Sequence, residues 1–331
     1  DKAWTLLTTM TELKGFEEKK GSRRVKGAEH GAQVGRKSWL ERRQDEEARL
    51  GYDEQPHVLI VGGGQGGIML AARLRRLGVP TIVVERNEKA GDSWRKRYKT
   101  LCLHDPVWYD HLPYLPFPDH WPVFAPKDKV GDWLEMYTRV MELNYWSSTS
   151  AKSAQYDEAK GEWTVVLDRD GEEVVMHPKQ LVLATGMSGK AFVPTFKGQD
   201  IFKGEQQHSS QHNGPDAYRG KKVVVIGSGA TAMTLVPSMA DTASHVTMLQ
   251  RSPTYVVSRP AEDGIANWLR SKLPAMTAYG LTRWKNVLLG MLFLGERLRK
   301  LHARMPMTAT TIMTSIRVKP RATRLRARAV R

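Results

Sequence analysis

The chain has 331 residues, of which 40% are hydrophobic and 26% are charged, and its formal net charge is +16. This composition is typical of a globular protein with one large or two ordinary domains. No apolar run in the sequence approaches the roughly 20 residues that span a bilayer. The single cysteine, Cys102, excludes an intramolecular disulfide framework and a redox-active Cys-x-x-Cys pair. We therefore predict a cytoplasmic protein without a transmembrane segment.

Residues 1–50 are charged and contain no long periodic apolar run. Residues 1–24 contain no apolar h-region, so they do not predict a signal peptide. The stretch from Ala3 to Thr8 has the composition of one strand, and the residues after it are rich in Lys, Arg and Gly. We interpret this part of the chain as a linker.

The first strongly patterned unit begins at His57. An apolar strand ends at Val61 and is followed by the glycine loop GGGQGG and a helix-forming run. In a dinucleotide-binding loop, the first glycine permits a tight turn, the second lets the backbone approach a pyrophosphate, and the third lets the helix pack on the strand. These roles fall to Gly62, Gly64 and Gly67. The N-terminus of the helix supplies N–H groups for the phosphates.

A second strand follows this helix and ends at Glu85. A carboxylate about 20 residues after a glycine loop accepts hydrogen bonds from a ribose diol. The same negative charge repels a 2′-phosphate. The first unit therefore predicts a site for an unphosphorylated ribose, as in FAD.

A second unit repeats the layout of strand, glycine loop, helix and strand. Its loop reads GSGATA, so that Gly227, Gly229 and Ala232 take the three glycine positions. The second strand is followed by Arg251 and Ser252 instead of an acid, and a guanidinium can bind a 2′-phosphate bidentately. We predict an NADP site at these five residues. A solvated surface role for Arg251 is the alternative.

The chain becomes helical after about residue 263, with Trp, Met and Leu at helical spacing and breaks expected at Pro274 and Gly280. We expect this apolar stripe to pack in the core, and weak binding to a membrane surface is the alternative. Residues 317–331 hold seven basic residues and no acid, which predicts a disordered basic tail. We expect no nucleic-acid partner. The histidines lack ligand spacing, so no metal site is predicted.

Two dinucleotide sites in one chain are explained most economically by hydride transfer from a nicotinamide to a flavin. We therefore predict FAD and NADPH as cofactors.

Further motifs resemble those of a known family. The letters GDSWR, which end in Trp94 and Arg95, are similar to a Gly-x-x-Trp segment that lies along the flavin. The letters LVLATG, which end in Thr185 and Gly186, are similar to the strand that links the two nucleotide domains. The resemblance adds these four residues to the predicted FAD site.

The segment between the two glycine loops carries a longer motif. Phe202, Gly204 and His208 match the pattern F-x-G-x-x-x-H-x-x-x-aromatic, with His212 in the place of the final aromatic residue. On these residues the chain resembles the class B flavin-dependent monooxygenases, of the flavin-containing and Baeyer–Villiger types, from about residue 55 to residue 300. The resemblance implies that the motif joins the domains. His208 either steers NADP or packs at a hinge.

Two branches of the family are represented. Residues 91–122 look like fungal flavin-containing monooxygenases and the plant auxin-forming type, and residues 221–294 look more like the mycobacterial ethionamide-activating Baeyer–Villiger type. Members of the first branch often carry an N-terminal NTF2-like domain.

The resemblance implies an α/β fold with two Rossmann-like dinucleotide-binding domains of the three-layer ββα/αβα type. The predicted parts are a linker that includes the end of an NTF2-like domain, an FAD-binding domain, an NADPH-binding domain and an atypical basic tail. Their boundaries are residues 1–50, 51–200, 201–300 and 301–331. In the family, a C-terminal segment returns to complete the FAD domain. Because no second Ala-Thr-Gly strand follows Ser252, we expect an incomplete FAD domain and a C-terminally truncated chain.

The implied activity is insertion of one oxygen atom from O2 into a small organic substrate through a C4a-(hydro)peroxyflavin. N- or S-oxygenation or keto-acid oxidation is the first expectation, and Baeyer–Villiger oxidation of a ketone is the alternative. A truncated, inactive nucleotide-binding homologue is a further alternative, whereas the lone Cys102 argues against a flavin disulfide reductase. The implied chemistry needs no protein nucleophile, and no catalytic residue is assigned from the sequence.

Overall fold

The structure is a computed structural model that describes residues 15–27, 31–32, 34–107, 110–118, 120–186, 189, 191–250, 262–302 and 314–318, with only the backbone for 293–302 and 314–318. The chain divides into two compact units that exchange segments. The first unit contains Asp1–Arg95, Leu112–Leu115 and Val130–Lys190. The second unit contains Lys96–His111, Pro116–Lys129 and Ala191–Arg331. The predicted boundaries of the ligand-binding domains stay predictions.

The helices and strands of the described residues are numbered in chain order. The α-helices are α1 (Trp39–Arg49), α2 (Gln65–Arg76), α3 (Asp92–Arg95), α4 (Lys127–Val140), α5 (Ala230–Met239), α6 (Gly264–Lys272) and α7 (Ala275–His302). The strands are β1 (Val58–Val61), β2 (Thr81–Val84), β3 (Asn144–Trp146), β4 (Thr149–Asp157), β5 (Glu162–Arg169), β6 (Glu172–Met176), β7 (Gln180–Leu183), β8 (Lys222–Ile226), β9 (His245–Gln250) and β10 (Thr314–Val318). Short 3-10 helices lie at Gly21–Arg23, Ser209–Gln211 and Pro215–Tyr218.

The first unit is built on a parallel sheet with the strand order β3-β2-β1-β7. Its central strands are short continuous apolar runs, as expected for strands that are covered on both faces. Strands β4, β5 and β6 form a separate antiparallel sheet in the same unit. Leu59, Ile82 and Trp146 of the parallel sheet share a buried core with Leu167 and Met176 of the antiparallel sheet. The core therefore lies where the two sheets face each other.

Helix α2 makes the crossover between β1 and β2. Ile68, Ala71 and Ala72 are buried on its sheet-facing side. The helix ends in three basic residues and is followed by Gly78 with φ +75°. Basic residues in the last turn and a left-handed glycine after it are common ways to end a helix.

Helix α1 lies within the predicted linker and was not foreseen. Ser38 and Glu41 form a capping box that begins the helix. The buried guanidinium of Arg43 donates to the carbonyl oxygen of Leu143 at 2.7 Å and to Oδ1 of Asn144 at 2.6 Å. These bonds attach α1 beside β3, which is the edge strand of the parallel sheet.

The second unit contains a sheet with the order β10-β9-β8, in which β8 and β9 are parallel and β10 is antiparallel to β9. Helix α5 connects the two parallel strands and buries Leu235, Val236 and Met239. The predicted α/β fold with parallel sheet cores is confirmed.

The apolar stripe of α6 and α7 does not pack in the core as expected. Trp268, Trp284 and Leu288 are 61%, 68% and 56% exposed, because α7 packs through Ala278 and Thr282 on another side. The predicted break at Pro274 is confirmed, but α7 continues through Gly280. A single glycine costs a helix about 1 kcal/mol, which is too little to end a long one. No helix in the described part of the chain is both long and apolar enough to cross a membrane.

Candidate functional site

The first glycine loop is shaped by close contacts with its own unit. Gly62 has φ +111°, and a Cβ atom there would lie 2.4 Å from the carbonyl oxygen of Ala184. A Cβ atom at Gly67 would lie 2.0 Å from the carbonyl oxygen of Gly62. Neither position can hold a side chain. At Gly64 a Cβ atom would meet nothing within 4 Å, so the space that this glycine leaves is open to a ligand.

Gly64 is also the N-cap of α2, and no side chain caps this helix end. Its φ of −73° and ψ of −177° direct the chain from the strand into the first helical turn. The first N–H groups of a helix have no partner inside the helix, and the helix dipole gives them a partial positive charge. The loop therefore fits a pyrophosphate that approaches over Gly64.

The Glu85 carboxylate lies directly against this loop at the end of β2. Its Oε2 accepts a hydrogen bond from the backbone N–H of Gly63 at 2.8 Å. Its Oε1 accepts from the backbone N–H and from Nδ2 of Asn87, at 3.0 and 2.7 Å. A carboxylate offers about four acceptor positions, so Glu85 keeps the capacity to accept from a ribose hydroxyl.

Trp94 reaches the loop from α3. Its indole Nε1 donates to Oε1 of Gln65, the first residue of α2, at 3.0 Å. The indole thereby lies beside the helix N-terminus that the sequence predicted to hold phosphate. Sequence reasoning did not single out Gln65, because its position in the glycine loop carries no residue preference.

Arg95 has a different set of partners. Its five N–H groups donate to the carbonyl oxygen of Ala90 and to the carboxylates of Asp92, Asp132 and Glu135, at 2.8 to 3.2 Å. Arginine has five N–H donors in all. The guanidinium therefore ties α3 to α4, and a hydrogen bond donated from it to FAD would require one of these bonds to break.

Thr185 and Gly186 follow β7 and adjoin the same loop. The backbone N–H of Ala184 donates to the carbonyl oxygen of Val61 at 2.7 Å, which carries the parallel pairing up to the loop. The backbone nitrogen of Thr185 lies 3.1 Å from a Cβ position at Gly62, and Gly186 has φ +71°. The structure thus brings the predicted FAD residues that follow β1, β2 and β7, together with Trp94 of α3, to the carboxyl ends of the parallel strands.

Tyr145, on β3, belongs to this cluster, although no sequence motif points to it. Its hydroxyl donates to the carbonyl oxygen of Gly63 at 3.2 Å. Burial and the negative charges of Glu85 and Asp92 raise the pKa of Tyr145 well above its usual range, so the phenol stays a donor.

The second glycine loop repeats the backbone of the first. Gly227 has φ +115°, close to the value at Gly62. Gly229 caps α5 with φ −75° and ψ −178°, and no side chain caps this helix end. Ala232, the third position, is buried in the packing of α5. The loop therefore has the conformation that a second pyrophosphate would require.

The predicted 2′-phosphate residues, Arg251 and Ser252, lie outside the described residues. Strand β9 ends at Gln250, immediately before them.

The segment that carries the F-x-G-x-x-x-H motif has its own local packing. A Cβ atom at Gly204 would lie 2.4 Å from the ring of Phe202. The Phe202 ring therefore packs directly against the backbone of Gly204. His208 caps the helix Ser209–Gln211, accepting from the backbone N–H of Ser210 at 3.2 Å. This capping contact agrees with a local structural role for His208.

His212 takes the place of the expected aromatic residue and packs as one. Its buried ring stacks on Tyr218, with the ring centroids 4.7 Å apart. Its Nδ1 accepts from the backbone N–H of Gly214 at 3.2 Å, and burial lowers the pKa of His212. The departure from the motif therefore preserves a stacked ring.

Comparison with known proteins places the chain in a family. The family described as flavin-binding monooxygenase-like matches residues 58–278, which is more than half of the chain. The chain belongs to this family of FMO-like proteins, as its motifs predicted.

Relatives of both expected branches are found. A probable indole-3-pyruvate monooxygenase of Arabidopsis thaliana, YUCCA9, is 36% identical over 203 residues, which are 61% of this chain and 48% of the relative. The FAD-containing monooxygenase EthA of Mycobacterium tuberculosis is 36% identical over 246 residues, which are 71% of this chain and 50% of EthA. The chain thus spans about half the length of the curated relatives that it matches.

Solved structures agree with this placement. The crystal structure of OTEMO in complex with FAD and NADP aligns with a TM-score of 0.52 and 29% identity, and the alignment covers 60% of this chain and 40% of OTEMO.

Proposed function

We propose that this chain acts as a flavin-dependent monooxygenase, which uses FAD and NADPH to insert one oxygen atom from O2 into a small organic substrate. The observation that carries the proposal is the first glycine loop. It joins an open position at Gly64 to a carboxylate, Glu85, that is fixed by the N–H of Gly63. Family membership and the FAD and NADP bound to OTEMO support the same assignment.

The residues of the first unit would hold FAD. Gly64 and the N-terminus of α2 receive the pyrophosphate, and Glu85 accepts from the ribose hydroxyls. Trp94, Thr185 and Gly186 flank the loop, and Arg95 holds α3 in place through its carboxylate partners. When bound, the flavin supplies the redox chemistry with NADPH and O2, whereas the protein supplies position and charge.

The second loop would hold NADPH through Gly227, Gly229 and Ala232, with Arg251 and Ser252 on the 2′-phosphate. A charge-assisted pair with phosphate contributes about 1.5–3 kcal/mol. Arg251→Ala should therefore raise the KM for NADPH about tenfold or more and leave the KM for NADH nearly unchanged. Steady-state kinetics with both nucleotides test this, and equal losses for the two would contradict the assignment.

Keto-acid oxidation and S- or N-oxygenation are the substrate chemistries that we propose first. The name of one relative supports keto-acid oxidation, because indole-3-pyruvate is a keto acid. Baeyer–Villiger oxidation is the second candidate, and a structural neighbour that is a cyclohexanone monooxygenase, 25% identical with a TM-score of 0.53, favours it.

The test is to supply the purified chain with FAD and NADPH and to add indole-3-pyruvate, a thioether or cyclohexanone in separate reactions. A monooxygenase yields the decarboxylated acid, the sulfoxide or the lactone in proportion to the NADPH consumed. Hydrogen peroxide formed without any oxygenated product would contradict the proposal. FAD binding without NADPH consumption would favour an inactive nucleotide-binding homologue.

We further propose weak association of the second unit with anionic membrane surfaces. Trp268, Trp284 and Leu288 are exposed beside the exposed basic residues Arg270 and Arg283. Tryptophan favours the membrane interface, and each basic residue near an anionic surface contributes about 1 kcal/mol. Sedimentation with phosphatidylserine vesicles should carry down the wild type more than a Trp284→Ser variant. Equal sedimentation of both, or none of either, would exclude this role.

A further inference from the structure

The backbone conformation of Gly63 does not require a glycine. Its φ is not positive, so an alanine would be compatible with the local conformation. The second glycine loop has Ser228 at the matching position, between Gly227 and Gly229. A side chain is therefore compatible with a loop of this conformation.

Tyr145 occupies the space that a side chain at position 63 would need. A Cβ atom at Gly63 would lie 2.1 Å from the hydroxyl oxygen of Tyr145 and 2.5 Å from the ring carbon Cζ. Such distances do not occur between non-bonded heavy atoms, so either the loop or the ring would have to move. Tyr145 lies on β3, which pairs with β2, and its Cα is in register with that of Val83.

The same two residues also share a hydrogen-bonded chain with Glu85. The Tyr145 hydroxyl donates to the carbonyl oxygen of Gly63 at 3.2 Å. The N–H of Gly63 donates to Glu85 at 2.8 Å. Gly63 is thus held through both of its peptide groups by side chains from adjacent strands. This fixes the loop between Gly62 and Gly64 before any ligand arrives.

We infer that Tyr145 is a positioning residue for the dinucleotide at the first glycine loop, acting through Gly63. The inference rests on the proposed function in one respect, the identity of the dinucleotide as FAD. Tyr145 itself contacts the loop rather than the reacting atoms. It preorganises the loop for the pyrophosphate, and preorganisation raises affinity by lowering the cost of ordering.

Tyr145→Phe removes one hydroxyl and keeps the ring. Loss of one hydrogen bond should weaken FAD binding about fivefold. The dissociation constant for FAD is the readout, because the hydroxyl orders the loop and does not contact the reacting atoms. Tyr156→Phe is the matched control, since Tyr156 lies on β4 in the same unit and is 41% exposed. FAD titration by flavin fluorescence measures both variants.

A double-mutant cycle separates positioning from general damage. Gly63→Ala alone should weaken FAD binding at least about tenfold, because overpacking forces the loop to shift. Gly63→Ala combined with Tyr145→Val should bind FAD within about twofold of Tyr145→Val alone, because valine leaves room for the alanine. Additive losses in the double variant would overturn the inference, and so would an unchanged dissociation constant for Tyr145→Phe.

Failure of the proposed function looks different. If the wild type does not bind FAD at any concentration tested, the flavin assignment falls and the role of Tyr145 in binding FAD falls with it. Thermal unfolding of the cofactor-free proteins then tests the packing of Tyr145 against position 63. There, Gly63→Ala should lower the unfolding temperature and Tyr145→Val should remove that effect.

Discussion

At the residue scale, the Glu85 carboxylate connects the glycine loop to the ribose that we propose for it. Glu85→Gln keeps the shape of the side chain but removes the charge. Because hydrogen bonds to charged groups contribute about 1.5–3 kcal/mol, FAD should bind about tenfold or more weakly. Glu88→Gln, at an exposed position in the same turn, is the control. An FAD affinity equal to that of the wild type would remove Glu85 from the site.

The buried ring of His212 leads to a second prediction at this scale, about how the stability of the protein depends on pH. Burial lowers the pKa of His212 below its ordinary value of 6.5. Since the unfolded chain takes up the proton first, stability is highest above about pH 6.5 and is lost as the pH falls toward the folded-state pKa. His212→Phe should therefore lose less stability than the wild type between pH 8 and pH 5. Thermal unfolding across this range measures the difference, and parallel curves for both proteins would contradict it.

The spacing of the motifs predicts part of the site at this scale. Gly62, Gly64 and Glu85 could be assigned because a glycine loop and its acid follow each other at a fixed distance along the chain. Tyr145 could not be assigned, because its contact with Gly63 depends on the pairing of β3 with β2, and that register is set by tertiary packing. The hydrogen-bond partners of Arg95 could not be predicted either, because Asp132 and Glu135 belong to a helix that is far from Arg95 in the sequence.

At the element scale, α1 shows that part of the predicted linker is packed on the first unit. Arg43 is buried and donates to Leu143, immediately before the edge strand β3, and to Asn144, the first residue of that strand. Arg43→Ala would leave those acceptors without their donor, so it should lower the free energy of unfolding by about 2–3 kcal/mol. Arg42→Ala, on the exposed side of the same helix, should change it by less than about 0.5 kcal/mol. Denaturant unfolding compares the two, and equal losses would mean that α1 is held in another way.

Helices α6 and α7 could be predicted from the sequence, but their packing could not. Helical periodicity identified both helices and the break at Pro274, because spacing depends only on local geometry. It could not tell which partner covers the apolar stripe, and Trp284 and Leu288 are exposed although we expected them in the core. The helix contacts are made instead by Ala278 and Thr282, together with the ion pair between Lys285 and Asp263.

At the scale of the whole molecule, two repeats of strand, loop, helix and strand were enough to predict an α/β fold with parallel sheets. The repeats could not predict that Lys96–His111 and Pro116–Lys129 belong to the second unit while Leu112–Leu115 belongs to the first. Such exchanges depend on contacts between residues that are far apart in the chain. The antiparallel sheet of β4, β5 and β6 was likewise not anticipated.

The proposed function depends first on binding of FAD at the loop that begins at Gly62. The most direct measurement is a titration of the purified chain with FAD, followed by flavin fluorescence and absorbance, beside a Gly62→Ala variant. Gly62 has φ +111° and faces the carbonyl oxygen of Ala184, so the variant should lose FAD binding. We predict saturable, stoichiometric binding to the wild type. No binding by the wild type, or equal binding by the variant, would contradict the claim.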